Sequence, residues 1–128
     1  MVFSTPNRRR GLCALASGLC LLSTAAVAQT APPSITASPE IYKVIAENAN
    51  YRVISVTWAP GQKDAMHSHP DSAVYVLTDC ALRYYLPNGA TRDGFPPAGF
   101  AVVQAPIEAH AVENIGKSDC KLIMFEPK

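Results

Sequence analysis

Gly61-Gln62-Lys63-Asp64-Ala65-Met66-His67-Ser68-His69-Pro70 holds two of the three histidines in a chain of 128 residues. They stand as H-x-H. In an extended segment residues i and i+2 project to the same side, so His67 and His69 can reach one point while Ser68 faces away. That geometry excludes a Ser-His dyad at Ser68. The third histidine lies in Pro106-Ile107-Glu108-Ala109-His110-Ala111-Val112-Glu113-Asn114. Supplied from another strand of a small barrel, His110 completes a facial triad that leaves positions open for water or a ligand.

Outward from these two stretches the pattern is that of short strands. Ile41–Ile45, Tyr51–Trp58, Ala73–Thr78, Leu82–Leu86, Phe100–Gln104, His110–Ile115 and Cys120–Glu126 alternate or run apolar, with Pro60-Gly61, Asp79-Cys80, Pro87-Asn88-Gly89 and Gly116–Asp119 as turns. Residues 90–99 hold two prolines and two glycines, so a strand there is short or absent. About seven strands separated by turns every 8–12 residues, without a useful amphipathic helix, predict an all-β sandwich or barrel.

Composition bounds the rest. Hydrophobic residues make up 48% and charged residues 16%, too apolar for a disordered chain, while 11 prolines oppose long helices. Arg8-Arg9-Arg10, the apolar run 11–22 and the small residues of Ala26-Val27-Ala28 form a secretory signal over 1–28, cleaved before Gln29. Arg9-Arg10-Gly11-Leu12-Cys13 also resembles a twin-arginine signal. A lipoprotein site at Cys20 is rejected, because Leu19 precedes the cysteine where a small residue is required. With the three signal arginines gone, eight Lys and Arg face ten Asp and Glu, a net of −2, which excludes nucleic-acid binding through a basic surface. After signal cleavage no stretch is long enough for a membrane span. The expectation is a secreted or periplasmic protein with a Pro/Ser/Thr/Ala-rich flexible leader over 29–39 and one domain over 40–128.

Taken together, the two histidine stretches resemble the motifs of the cupin superfamily. The first family motif is G-x5-H-x-H-x3,4-E-x6-G, matched by Gly61, His67 and His69. The second is G-x5-P-x-G-x2-H-x3-N, followed by Gly99, Pro106, His110 and Asn114, with Glu108 in place of a glycine and one spacing altered. The resemblance covers about 40–126. It implies a small cupin-type jelly-roll β-barrel with His67, His69 and His110 inside it as ligands of one divalent transition metal, Fe, Mn or Zn. The motif glutamate falls at Ala73 and the closing glycine at Cys80, so a site of three histidines and one glutamate does not carry over. Gln62, Asp71 and Glu108 are the neighbouring residues that could replace the missing ligand. Imidazole binds metal when neutral, so affinity is expected to fall as pH drops through about 6.5.

By the same resemblance Ala73, Tyr75 and Leu77 share the interior face of the third strand. Val112 and Asn114 follow His110 inward. Met66, Tyr75, Trp58 and Met124 are expected to line a pocket for a small-molecule ligand, with Tyr84 or Tyr85, Phe100 and Val102 beside them; the same residues also read as ordinary core. Arg52, Arg83 and Arg92 read first as solvated surface charges, although each is a cation able to pair a ligand carboxylate. No phosphate loop, dinucleotide fingerprint or nucleophile–base pair is present. Three activities fit: an iron-dependent dioxygenase of a small molecule; a non-catalytic sensor or ligand- or metal-binding module; and a Zn- or Mn-dependent lyase, isomerase or hydrolase. The size of the domain and the family resemblance point to a homodimer.

Cleavage removes Cys13 and Cys20 and leaves Cys80 and Cys120, an even pair in an oxidising compartment. In a cupin jelly roll the turns carrying them lie at one end of the barrel, which implies a disulfide. Two separate buried thiols are the alternative.

Overall fold

Ile54, Val56 and Trp58 alternate with more exposed residues along Tyr51-Arg52-Val53-Ile54-Ser55-Val56-Thr57-Trp58, and all three are buried. Burial of each such side chain contributes about 1.5–3 kcal/mol. The same alternation in the last strand turns Cys120, Leu122, Met124 and Glu126 inward. The two strands pair antiparallel from Tyr51↔Pro127 to Trp58↔Cys120, so their buried residues meet on one face.

The computed structural model describes residues 31–128; the export signal read over 1–28 lies outside them. A helical turn α1 (Ser34–Ala37) is followed by β1 (Tyr42–Glu47), β2 (Tyr51–Trp58), β3 (His67–His69), β4 (Ser72–Val76), β5 (Leu82–Tyr85), β6 (Thr91–Gly94), β7 (Ala101–Gln104), β8 (Ile107–Asn114) and β9 (Cys120–Pro127). Five strands form one sheet in the order β1-β2-β9-β4-β7, and four form a second in the order β3-β8-β5-β6. Every strand pairing in both sheets is antiparallel. The sheets enclose a core of Ile41, Ile54, Val56, Val76, Leu82, Val112 and Leu122, among others, as a jelly-roll β-barrel.

Three features bear on the sequence reading. The supposed flexible leader is packed against the barrel from Ala31 onward. Ser68 donates its backbone N–H to Pro32 and its hydroxyl to Ala31, and Ser34 and Ser38 are buried. Polar composition marked this segment as a linker, yet its polar groups find partners on β3 and in α1. Secondly, the strand over 90–99, expected to be short or absent, is the four-residue β6, paired only with β5.

Thirdly, β4 is turned over. Ser72, Val74 and Val76 face inward, whereas Ala73, Tyr75 and Leu77 are exposed, Tyr75 by 50%. Period two states which residues share a face but not which face is inside. Here both sets are largely apolar. The neighbours decide: Val74 lies opposite Met124 of β9 and Val102 of β7, so it shares their inner face.

Cys80 and Cys120 form a disulfide with Cα atoms 4.9 Å apart. It joins the turn after β4 to the first residue of β9, beside the point where β4 and β9 end their pairing at Val76↔Leu122. Three residues beyond β2, Gly61 turns the chain with φ 76°, a left-handed conformation that favours glycine. Its N–H donates to the Asn114 carbonyl. This contact fixes the start of the loop leading to His67.

Candidate metal centre

β3 is only three residues long, and its alternation places His67 and His69 inward with Ser68 outward. β3 pairs with β8 so that His67 lies opposite His110. The three imidazoles therefore converge from two neighbouring strands, all buried, with a potential ligand nitrogen of each within 4.8 Å of the others. His67 Nε2 is 2.9 Å from His69 Nε2 and 3.1 Å from His110 Nε2.

The hydrogen bonds set the tautomers. His67 Nδ1 lies 2.8 Å from the Ala65 carbonyl, which can only accept, so Nδ1–H donates. His69 Nδ1–H donates to the Glu126 carboxylate at 2.7 Å. With the proton on Nδ1, a neutral ring leaves its Nε2 free to bind an ion. Two lone pairs 2.9 Å apart repel unless a proton or a cation lies between them. Nitrogens held by one ion at about 2.0–2.1 Å, with a right angle between the bonds, are about 3 Å apart. The donor set thus fits a divalent transition metal, and the outer nitrogens carry the partners that orient metal-binding histidines.

Burial favours the neutral form of His67 and His110. It lowers the His67 pKa, against the opposing effects of the Ala65 hydrogen bond and the nearby Asp64 charge. Burial, helped by the charges of His67, His69 and Arg92, pushes His110 down to about 3. The fall in affinity expected at about pH 6.5 accordingly moves to lower pH.

The acidic residues near the triad are not those singled out from the sequence. Gln62 accepts from the Ala59 N–H, Asp71 and Glu108 are exposed, and none of the three joins the cluster. Asp64 and Glu126 approach instead, both buried. Asp64 accepts from the Tyr42 hydroxyl at 2.8 Å, the Trp58 indole at 3.0 Å and the Val112 N–H at 2.6 Å. Burial raises its pKa despite these donors, and burial beside Asp64 raises that of Tyr42 well above the usual phenol. Glu126 was legible in principle: it is the one charged residue in phase with Cys120, Leu122 and Met124. Asp64 and Tyr42 carried no such signal, because their partners come from distant strands.

His69 and His110 form part of the wall of a cavity of about 500 Å³. Val74, Val76, Val112, Leu122 and Met124 give it apolar sides. Trp58, Tyr84, Phe95 and Phe100 add aromatic ones, and Arg92 and Gln104 are polar groups of its lining. Trp58 and Met124 stand in the lining, as does Val102. Met66 and Tyr75 do not: Met66 is 39% exposed, and Tyr75 lies on the outer face of β4. Both are out of phase with their inward neighbours, His67 and Val74. Since β4 is turned over, the inward residue after the H-x-H pair is Val74, at the longer of the two motif spacings; it too cannot coordinate a metal.

Solved structures resemble this one. A cupin domain from Bordetella pertussis Tohama I is 21% identical, with 78% of this chain and 98% of that chain covered and a TM-score of 0.63. A conserved protein with a double-stranded β-helix domain from Klebsiella pneumoniae subsp. pneumoniae MGH 78578 is 25% identical over 68% and 75% of the two chains, at a TM-score of 0.55. A cupin superfamily protein from Desulfitobacterium hafniense DCB-2 shares 11% identity over 68% and 75%, at 0.51. No family model matches this sequence, and no curated protein does.

Proposed function

Because this chain is a cupin by fold, we propose that it holds one divalent transition metal on His67, His69 and His110 and acts as an iron-dependent dioxygenase on a small molecule. The observation that carries the reading is the convergence of three buried imidazoles, with His67 Nε2 2.9 Å from His69 Nε2 and 3.1 Å from His110 Nε2, while Nδ1 of His67 and of His69 lie against the Ala65 carbonyl and Glu126. When bound, Fe(II) supplies redox chemistry and adjacent positions for O2 and a substrate.

The chain's own residues orient and exclude. Glu126 and the Ala65 carbonyl hold two rings in the tautomer that presents Nε2. Asp64 ties Tyr42, Trp58 and β8 into one buried unit beneath the triad. The apolar walls keep water from the ligand. Val74 takes no coordination position, so three neutral imidazoles leave the ion's charge to be balanced by Glu126, Asp64 and an anionic ligand. No serine, cysteine or free carboxylate in the lining is placed to move a proton, which disfavours a lyase, isomerase or hydrolase. The same lack supports the second reading, a non-catalytic metal- or ligand-binding module.

Metal analysis of chelator-free protein, followed by O2 uptake of the iron-loaded form against thiols, catechols and amino acids, tests the proposal. One metal per chain with substrate-dependent O2 uptake is expected. Stoichiometric iron without uptake leaves the binding module. Equal metal content in wild type and His67→Ala/His69→Ala sinks both.

We also place the protein outside the cytoplasm. The charged, apolar and small-residue succession over 1–28 and the Cys80–Cys120 disulfide support this. The mature protein should begin at Gln29 by N-terminal mass analysis.

A further inference from the structure

Tyr84 of β5 pairs directly with Arg92 of β6, and Arg83 with Asp93. Directly opposed residues share a face. Tyr84 and Arg92 both line the cavity, and Arg83 and Asp93 form their own bidentate pair at 2.8 and 2.9 Å. The Arg92 guanidinium carbon stands 5.2 Å from the Tyr84 ring centre, and that ring stacks at 6.2 Å on His110. Gly94 permits this arrangement: a Cβ there would come within 3.1 Å of the Tyr84 ring. Arg92 thus stands one aromatic ring away from the triad.

Its charge is not neutralised within the described residues. Their ion pairs use Arg83, Lys121, Lys128 and two histidines, and Asp93, the nearest acid in sequence, is occupied by Arg83. Arg92 is exposed to solvent as well as lining the cavity, so it stands where the cavity opens, and a cation there without an ion-pair partner can receive an entering anion. A guanidinium receives a carboxylate through two parallel hydrogen bonds. The lining also holds Val74, Val112, Leu122, Met124, the aromatic rings and Asp93, whose carboxylate is held by Arg83.

We infer that this cavity takes a small organic acid, with its carboxylate on Arg92, its apolar body along the valine, leucine and methionine walls, and its far end toward His69 and His110. The inference rests on the proposal that the cavity is the ligand chamber of the metal centre. A rival account exists, in which an inward charge on the edge strand β6 merely blocks pairing with another chain.

The experiment separates these. Trp58 is the chain's only tryptophan and lines the cavity, so its fluorescence reports occupancy. Phenylacetate, 3-phenylpropanoate, 4-phenylbutanoate and 5-phenylpentanoate are titrated against their uncharged amides, on protein as purified and after chelation. At least one acid should bind roughly tenfold or more tightly than its amide, as a charge-assisted pair allows. Arg92→Gln should erase that preference, and Lys121→Gln, which removes a like charge from outside the cavity, should keep it. Equal affinity for acid and amide, survival of the preference in Arg92→Gln, or binding by none of the acids overturns the inference. The metal reading fails separately. Protein that takes up no metal yet keeps an Arg92-dependent preference refutes the metal centre alone. Stoichiometric metal without that preference refutes the organic acid alone.

Discussion

Val74 decides what kind of site the triad can be. It lines the cavity in phase with Met124 and Val102, where a carboxylate would reach the ion. Val74→Glu should therefore raise affinity for Fe(II) or Mn(II), read by competition with a chelator, whereas Ala73→Glu on the exposed face should leave it unchanged. An equal gain in both variants would show that β4 is not turned as described. The histidines also couple stability to pH. In the unfolded chain they take up protons near pH 6.5; folded, burial holds His67 lower and His110 at about 3. A lowered imidazole pKa means that the unfolded state binds more protons between those values. The metal-free protein should thus lose stability as pH falls from about 6.5 toward 3. The loss for His110 alone is on the order of 2 kcal/mol at pH 5. Urea midpoints at pH 7 and pH 5 measure it, and an unchanged midpoint would contradict buried, neutral imidazoles.

Among the elements, β9 does the most to assemble the site. It carries Cys120 at one end and Glu126 at the other, between β2 and β4. The disulfide pins its first residue to the turn after β4, and Glu126 reaches His69 six residues further on. A bridge across 40 residues of chain contributes on the order of 2–4 kcal/mol by restricting the unfolded state. Thiol titration of the unfolded, unreduced mature protein should find no free thiol. Reduction should lower the urea midpoint by an amount in that range. Two free thiols would exclude the bridge.

At the scale of the whole molecule, the outer face of the five-stranded sheet carries an apolar patch across β4, β7 and β9. Tyr75, Ala101, Val103, Ile123 and Phe125 lie together on β4, β7 and β9, with Val103 82% exposed. Their centre carries no charge for a charged partner to pair with, and β7 is a sheet edge. A second copy offers the matching surface through a twofold axis, and a dimer formed there is the expected assembly. Light scattering at micromolar concentration should give twice the chain mass, reduced to one by Val103→Lys. A wild-type monomer would refute it.

By itself the sequence determined the strand-rich barrel and the triad. H-x-H on an extended segment can only present both rings to one side, and Cys80 and Cys120 are the two cysteines outside the segment read as an export signal. Strand phase and long-range contact decided the rest. Alternation cannot say which face of Ala73–Val76 is inside when both are apolar, and only pairing with β9 and β7 resolves it. Likewise Glu126 lies 57 residues from His69, and Asp64 lies 48 from the Val112 N–H it accepts from. Arg92 is solvent-exposed, as a surface charge would be, and only its register opposite Tyr84 also makes it part of the cavity lining. A side chain's partner across a sheet follows from the folded register, and local sequence carries almost no information about it.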